Sequence, residues 1–264
     1  MTLVEAAPIT FQIFVFVFGC CLGSFYNVVI HRLPQKLSLV HPRSRCPSCG
    51  NFIAAYDNIP LASYILLGGK CRQCRIPISL RYPIVEALAG LFALLLFRRY
   101  GFHPQFGIEF IFISLLLIIA MIDLDTFLIP DVLSLPGIVL GFASSFFSTR
   151  LTWSDSLLGI FLGGGLLYLI AAGYAFIRRK EGMGGGDIKL LGMIGAFLGW
   201  PGVLFTVLFS SISGLIVAVP LLLRKDKGLG SEIPYGPFLA FGAVCYIFWG
   251  QLIFQWYYYQ VLGV

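Results

Sequence analysis

Apolar residues in this chain gather in long unbroken blocks. They do not alternate as in a half-buried strand, nor form the one-sided stripe of a surface helix. Eight blocks stand out, at 9–30, 82–97, 107–122, 132–147, 156–177, 187–198, 202–223 and 238–258. The first has about the ~20 residues that a helix needs to cross a bilayer. The sixth is short, which leaves it tilted, re-entrant, or continuous with the seventh through Trp200-Pro201. The pattern predicts an all-α polytopic membrane protein with about eight transmembrane helices. It also sets out the chain: a first transmembrane helix over 1–30, a polar insert over 31–81, and a larger transmembrane domain over 82–264.

Composition agrees. Of 264 residues, 58% are hydrophobic and 11% charged, with a mean hydropathy of +0.90, which excludes an ordinary soluble domain. The first block does not read as a cleaved signal peptide, because no basic region precedes it and Glu5 is the one charge before His31. The basic residues predict orientation. With the N-terminus outside and eight spans, fifteen of the eighteen Lys and Arg residues face the cytoplasm: those between Arg32 and Arg81, then Arg178, Arg179, Lys180 and Lys189, then Arg224, Lys225 and Lys227. Arg98, Arg99 and Arg150 fall outside. The net charge of +6 therefore reads as topology and contact with anionic lipid, not as a nucleic-acid footprint.

The insert carries four of the seven cysteines, as Cys46-Pro47-Ser48-Cys49 and Cys71-Arg72-Gln73-Cys74. Two C-x2-C knuckles about 20 residues apart have the spacing of a four-thiolate zinc site. Two disulfides or a redox pair are the alternatives, and placement in the reducing cytoplasm argues against them. With no open coordination position the zinc is expected to be structural. Cys20, Cys21 and Cys245 lie in apolar blocks and read as small buried hydrophobes. Between the knuckles, residues 56–67 are too short to span and suit an interfacial helix or loop, with Asp57 and Asn58 in a capped turn.

Two carboxylates stand at the edges of apolar blocks. Asp123 closes the block at 107–122, and Asp187 follows Gly184-Gly185-Gly186 and opens the block at 187–198. An ionisable group at such a place costs free energy unless it has a partner or a water-filled cavity, so each is a candidate for function. In the predicted orientation both lie at the cytoplasmic face. Asp125 lies beyond the block, and Asp131 after Pro130 suits a helix first turn. The glycines around Asp187 leave room for an extended peptide, although a flexible loop with a capping Asp accounts for them equally. A close carboxylate pair divides into acid and base, activates a water and protonates a departing amine. His31, His41 and His103 form no rival metal or triad pattern.

These residues resemble the bacterial type IV prepilin peptidases, within the G-x-G-D intramembrane aspartyl proteases. The likeness runs through Gly23 to Pro34, both cysteine knuckles, Asp57-Asn58-Ile59-Pro60, 81–86, the segment from Asp123 to Asp131 ending in Ile-Pro-Asp, and Gly184-Gly185-Gly186-Asp187. It implies that Asp123 and Asp187 are catalytic; Gly184 and Gly186, in the glycine run before Asp187, are candidate substrate contacts. It further implies a bacterial inner-membrane enzyme that removes the leader of type IV prepilins and pseudopilins after a glycine, at the cytoplasmic face. Such enzymes then methylate the new N-terminus with S-adenosylmethionine; here the insert and Glu86 are the suspects for that step, Glu86 pairing with Arg81 being the other reading. A small transporter and a zinc-dependent scaffold are competing classes. Inverted-repeat symmetry between the halves would favour the first, and the sequence carries no such signal.

Overall fold

A computed structural model describes residues 9–178, 184–223, 233–250, 252, 253 and 256. The expected cytoplasmic residues Arg179, Lys180, Arg224, Lys225 and Lys227, and the end of the block at 238–258, lie outside these. The described residues are helical, apart from loops and two isolated antiparallel bridges, Arg45 with Phe52 and Lys70 with Pro77. The helices are α1 (Ile9–Arg32), α2 (Ala62–Leu66), α3 (Arg81–Tyr100), α4 (Pro104–Thr126), α5 (Asp131–Ser145), α6 (Trp153–Arg178), α7 (Gly185–Leu223) and α8 (Gly236–Cys245), which continues as a π-helical turn over Tyr246–Gly250.

Among the described residues, four helices are long and apolar enough to cross a membrane: Ile9–Arg32, Pro104–Thr126, Trp153–Tyr174 and Gly185–Pro220. Asp131–Ser145 and Gly236–Gly250 are shorter apolar helices. The sixth and seventh blocks join in α7, interrupted at Gly199, whose φ of +71° is left-handed. Glycine alone takes that conformation without a Cβ penalty, and Pro201 restarts the helix two residues on.

The chain divides into two compact units, Met1–Ile118 and Ile119–Val264. In the first, α1 packs on α3 through small residues. A Cβ at Gly19 would come within 2.7 Å of the Ala93 Cβ, and one at Gly23 within 2.7 Å of the Glu86 Cα. Small residues let backbones approach where lipid offers no hydrophobic drive. Cys20 is buried in this seam, as expected, whereas Cys21 is exposed. The Tyr26 hydroxyl donates to Ser114 Oγ at 2.7 Å, and Ser114 donates on to the Phe110 carbonyl.

In the second unit α6 and α7 meet along glycines. Gly159 faces Gly195 and Gly199, and Gly163 faces the Leu191 backbone. Ser156 Oγ donates to the Ala196 carbonyl at 2.7 Å across the same seam. These glycines serve close packing. Gly164 and Gly165, in contrast, face open space.

Candidate peptidase and metal sites

The metal site is built from two turns of one design. In the first knuckle Cys46 N–H donates to the Asn51 carbonyl and Gly50 N–H to the Cys46 carbonyl; in the second, Cys71 N–H donates to Ile76 and Arg75 N–H to Cys71. Gly50 (φ +71°) and Arg75 (φ +59°) occupy the same left-handed position. The four Sγ atoms of Cys46, Cys49, Cys71 and Cys74 lie within 4.8 Å of one another, and Cys46 Sγ is 3.8 Å from Cys74 Sγ. A tetrahedral ion with sulfur ligands at about 2.3 Å sets its ligands about 3.8 Å apart. The cluster therefore fits a metal ion. Backbone N–H groups of Cys49 and Ser48 draw the Cys46 thiol down to about 6. Cys74 is pushed up to about 11, against the pull of the Ile76 amide, by desolvation and the neighbouring sulfurs. Four crowded thiols do not ionise together without a cation to hold them.

Arg72, inside the second knuckle, clamps the insert. Its Nε and Nη2 donate to the two oxygens of Asp57 at 2.8 and 2.6 Å, and its guanidinium lies 5.4 Å from the Tyr56 ring centre. Asp57 sits in the expected turn, a 3-10 turn over Ala55–Asn58, although no side chain caps it. The hydrogen bonds from Arg72 hold the Asp57 carboxyl below the usual carboxylate range. The next residues form a γ-turn, in which Ala62 N–H donates to the Pro60 carbonyl around Leu61 at φ +59°. Buried Glu86 holds this strained turn, since its Oε2 accepts the Leu61 N–H at 2.9 Å. Ser24 also hydrogen-bonds the Glu86 side chain.

The acids around Asp123 separate by burial. Asp123 is 4% exposed, whereas Asp125 and Asp131 are exposed. Helix α4 ends three residues later: Phe127 turns left-handed at φ +55° and donates its N–H to the Asp123 carbonyl. Pro130 lies just before α5, and Asp131 in its first turn forms an ion pair with Lys189 of α7 at 2.7 Å. Asp187 is the third residue of α7, half-buried, and within electrostatic reach of Asp123. The tertiary structure thus brings Asp123 and Asp187 together, 64 positions apart in sequence. Of the glycines before Asp187, Gly186 packs on Ile129. A Cβ at Gly184 would meet only the Asp187 carboxylate, at 3.9 Å. The four-cysteine cluster and Glu86 belong to the other unit.

One neighbour of Asp123 has no counterpart in the sequence pattern. Gly236, the first residue of α8, donates its N–H to Asp123 Oδ2 at 2.9 Å. A helix start between Pro234 and Pro237 is legible in the chain, but its contact with an acid 113 residues earlier is not. Beside it opens a cavity of about 310 Å³, lined among others by Ser210, Gly214, Leu215, Pro234, Tyr235 and Phe238.

Residues 17–100 match the family model described as the bacterial peptidase A24 N-terminal domain, and residues 110–219 match that of the type IV leader peptidase family. Among similar proteins, one from Myxococcus xanthus is 41% identical over 217 residues, covering 82% of this chain and 65% of its own length. Another from Pseudomonas aeruginosa is 36% identical over 273 residues, covering 95% of this chain and 94% of its own. A third, from Aeromonas hydrophila, is 34% identical over 285 residues, covering 97% of each. All three are named prepilin leader peptidase/N-methyltransferase. No solved structure is a significant match.

Proposed function

The chain belongs to the type IV leader peptidase family, and on that premise we propose that it is a bifunctional membrane enzyme, an aspartic prepilin leader peptidase and N-methyltransferase. One observation carries the peptidase half: buried Asp123 and half-buried Asp187 lie within electrostatic reach of each other in a single compact unit, with a backbone donor on Asp123. Such a pair shares its ionisation, so one carboxylate takes a proton from water as the water attacks the scissile carbonyl, and the other supplies a proton to the departing amine. The pH dependence belongs to the pair, not to either residue. Gly184 gives the peptide backbone space beside Asp187, and Gly186, which packs on Ile129, seats the turn that presents both to the substrate. Substrates are type IV prepilins or pseudopilins, cut after glycine at the cytoplasmic face of the inner membrane. The N-terminus lies outside and about eight segments span, with the two halves of α7 counted separately.

The four cysteines take zinc, which cross-links the two knuckles and so folds the insert over 31–81; its part is structural. Methyl transfer from S-adenosylmethionine follows from the relatives' names. Glu86, the acidic residue suspected of meeting that donor, has its carboxylate engaged by the Leu61 amide and Ser24. These contacts also tie the turn at Pro60–Ala62 to α3, beside the insert proposed to meet the donor.

The deciding experiment incubates membranes carrying wild-type, Asp123→Ala or Asp187→Ala protein with a prepilin and follows the size shift. We expect cleavage by the wild type alone, with all three proteins inserted. Full activity in either variant would remove the dyad and leave a transporter or scaffold as the reading.

A further inference from the structure

The first turn of α8 has little choice of hydrogen-bond partners. The first N–H groups of any helix lack acceptors within the helix. Here Pro237 has no N–H, and those of Phe238 and Leu239 both point back to the Tyr235 carbonyl. Gly236 is left as the donor that can face outward, and it faces Asp123 Oδ2 at 2.9 Å in a buried setting. The fit is close, since a Cβ at Gly236 would sit 2.7 Å from that oxygen and 3.2 Å from the carboxyl carbon. The preceding residue is pinned in turn. The Tyr235 hydroxyl lies 2.7 Å from Ser210 Oγ, and Ser210, fully buried in α7, donates to the Val207 carbonyl. A single two-residue turn therefore ties the half of α7 that follows the break at Gly199 to the side chain of Asp123. Both family-model matches end before it, at residues 100 and 219.

We propose that Tyr235-Gly236 is the positioning element of the peptidase: the Gly236 amide fixes the rotamer of the Asp123 carboxylate toward Asp187, and the Tyr235 hydroxyl anchors that amide to Ser210. The inference rests on the aspartic peptidase reading above. It adds that the geometry of the pair depends on α8, a helix that contributes no acid of its own. The glycine is required because any side chain would enter the space the carboxylate occupies, and Pro237 is favourable because it removes a competing donor.

The test measures kcat and KM for prepilin cleavage by the full-length enzyme in detergent for wild type, Gly236→Ala, Tyr235→Phe and Asp123→Ala, with the thermal midpoint of each as a fold control. Misplacing a catalytic group by about 1 Å can cost about 100-fold in rate. We expect Gly236→Ala to lose about that much in kcat, and Tyr235→Phe about tenfold, with KM within about twofold of wild type for both. Tyr235→Phe keeps the ring that lines the cavity, so its effect reports the hydroxyl; it decides the matter if Gly236→Ala does not fold. A Tyr235→Phe enzyme with wild-type kcat, or one whose loss lies in KM alone, would overturn the proposal. If Asp123→Ala itself still cleaves, the peptidase reading has failed. If Asp123→Ala is inactive and the other two match wild type, the positioning role alone has failed.

Discussion

Gly186, the residue before Asp187, lies flush against Ile129 in the turn between α4 and α5: a Cβ on Gly186 would stand 2.8 Å from the Ile129 Cβ. The first turn of α7 is thus seated by backbone-to-side-chain contact on the segment that follows Asp123. Gly186→Ala should overpack this contact, a change that typically costs about 1–3 kcal/mol, and push α7 and Asp187 away from Asp123. We expect a clear loss of prepilin cleavage, with partial recovery in the Gly186→Ala/Ile129→Gly double variant, which removes the Ile129 Cβ that the new methyl would meet. Gly184→Ala meets only ordinary contact and should be the milder change in the same assay. Equal losses at the two glycines would point to a need for backbone freedom instead.

The Asp131–Lys189 pair should matter little. Both side chains are substantially exposed, at 56% and 38%, and such pairs contribute about 1 kcal/mol or less. Asp131→Asn should retain cleavage and shift the thermal midpoint slightly at low salt and not at high salt. A severe loss of activity would mean that Asp131 takes part in the chemistry.

Metal removal should act on the insert before it acts on the dyad. Elemental analysis of the purified protein should find one zinc per chain, lost in Cys46→Ser or Cys71→Ser. Limited proteolysis should then cut within 31–81 while the helices stay resistant. Prompt loss of prepilin cleavage with the insert still folded would contradict a structural metal.

The clamp between Asp57 and Arg72 sets a pH dependence. Arg72 lowers the folded-state pKa of Asp57 below its unfolded value. The resulting stability is fully present above the ordinary carboxylate value of about 4 and is lost as the pH falls through the folded value. Thermal midpoints of wild type and Asp57→Asn should therefore differ at neutral pH, and the gap should close under acid. A gap independent of pH would assign the effect to packing on Tyr56.

The second knuckle offers a stabilising change. Arg75 holds the left-handed position that Gly50 fills in the first, and a Cβ there costs about 1–2 kcal/mol. Glycine also gains more freedom in the unfolded chain, so Arg75→Gly should stabilise the insert by about 1 kcal/mol or less. Resistance of residues 31–81 to proteolysis is the measure, and increased cutting would show that the Arg75 side chain has a contact worth more than the strain.

Much of this protein is determined along the chain itself. Unbroken apolar blocks require helices, because in hydrocarbon a backbone is satisfied within one segment only as a helix, and barrel strands would alternate apolar and polar positions. Cysteine spacing required a cluster because each knuckle turns two sulfurs to one side, and Asp123 and Asp187 were legible as acids where hydrocarbon begins. These are properties of short segments. The tertiary structure decided matters that depend on residues far apart. It merged two expected spans into α7 around Gly199, engaged Glu86 with Leu61 and Ser24, exposed Cys21 while burying Cys20, and set Gly236 against Asp123. No local pattern encodes that last contact. A glycine between two prolines marks the start of a helix, but which carboxylate its amide meets is fixed only when α4, α7 and α8 pack together.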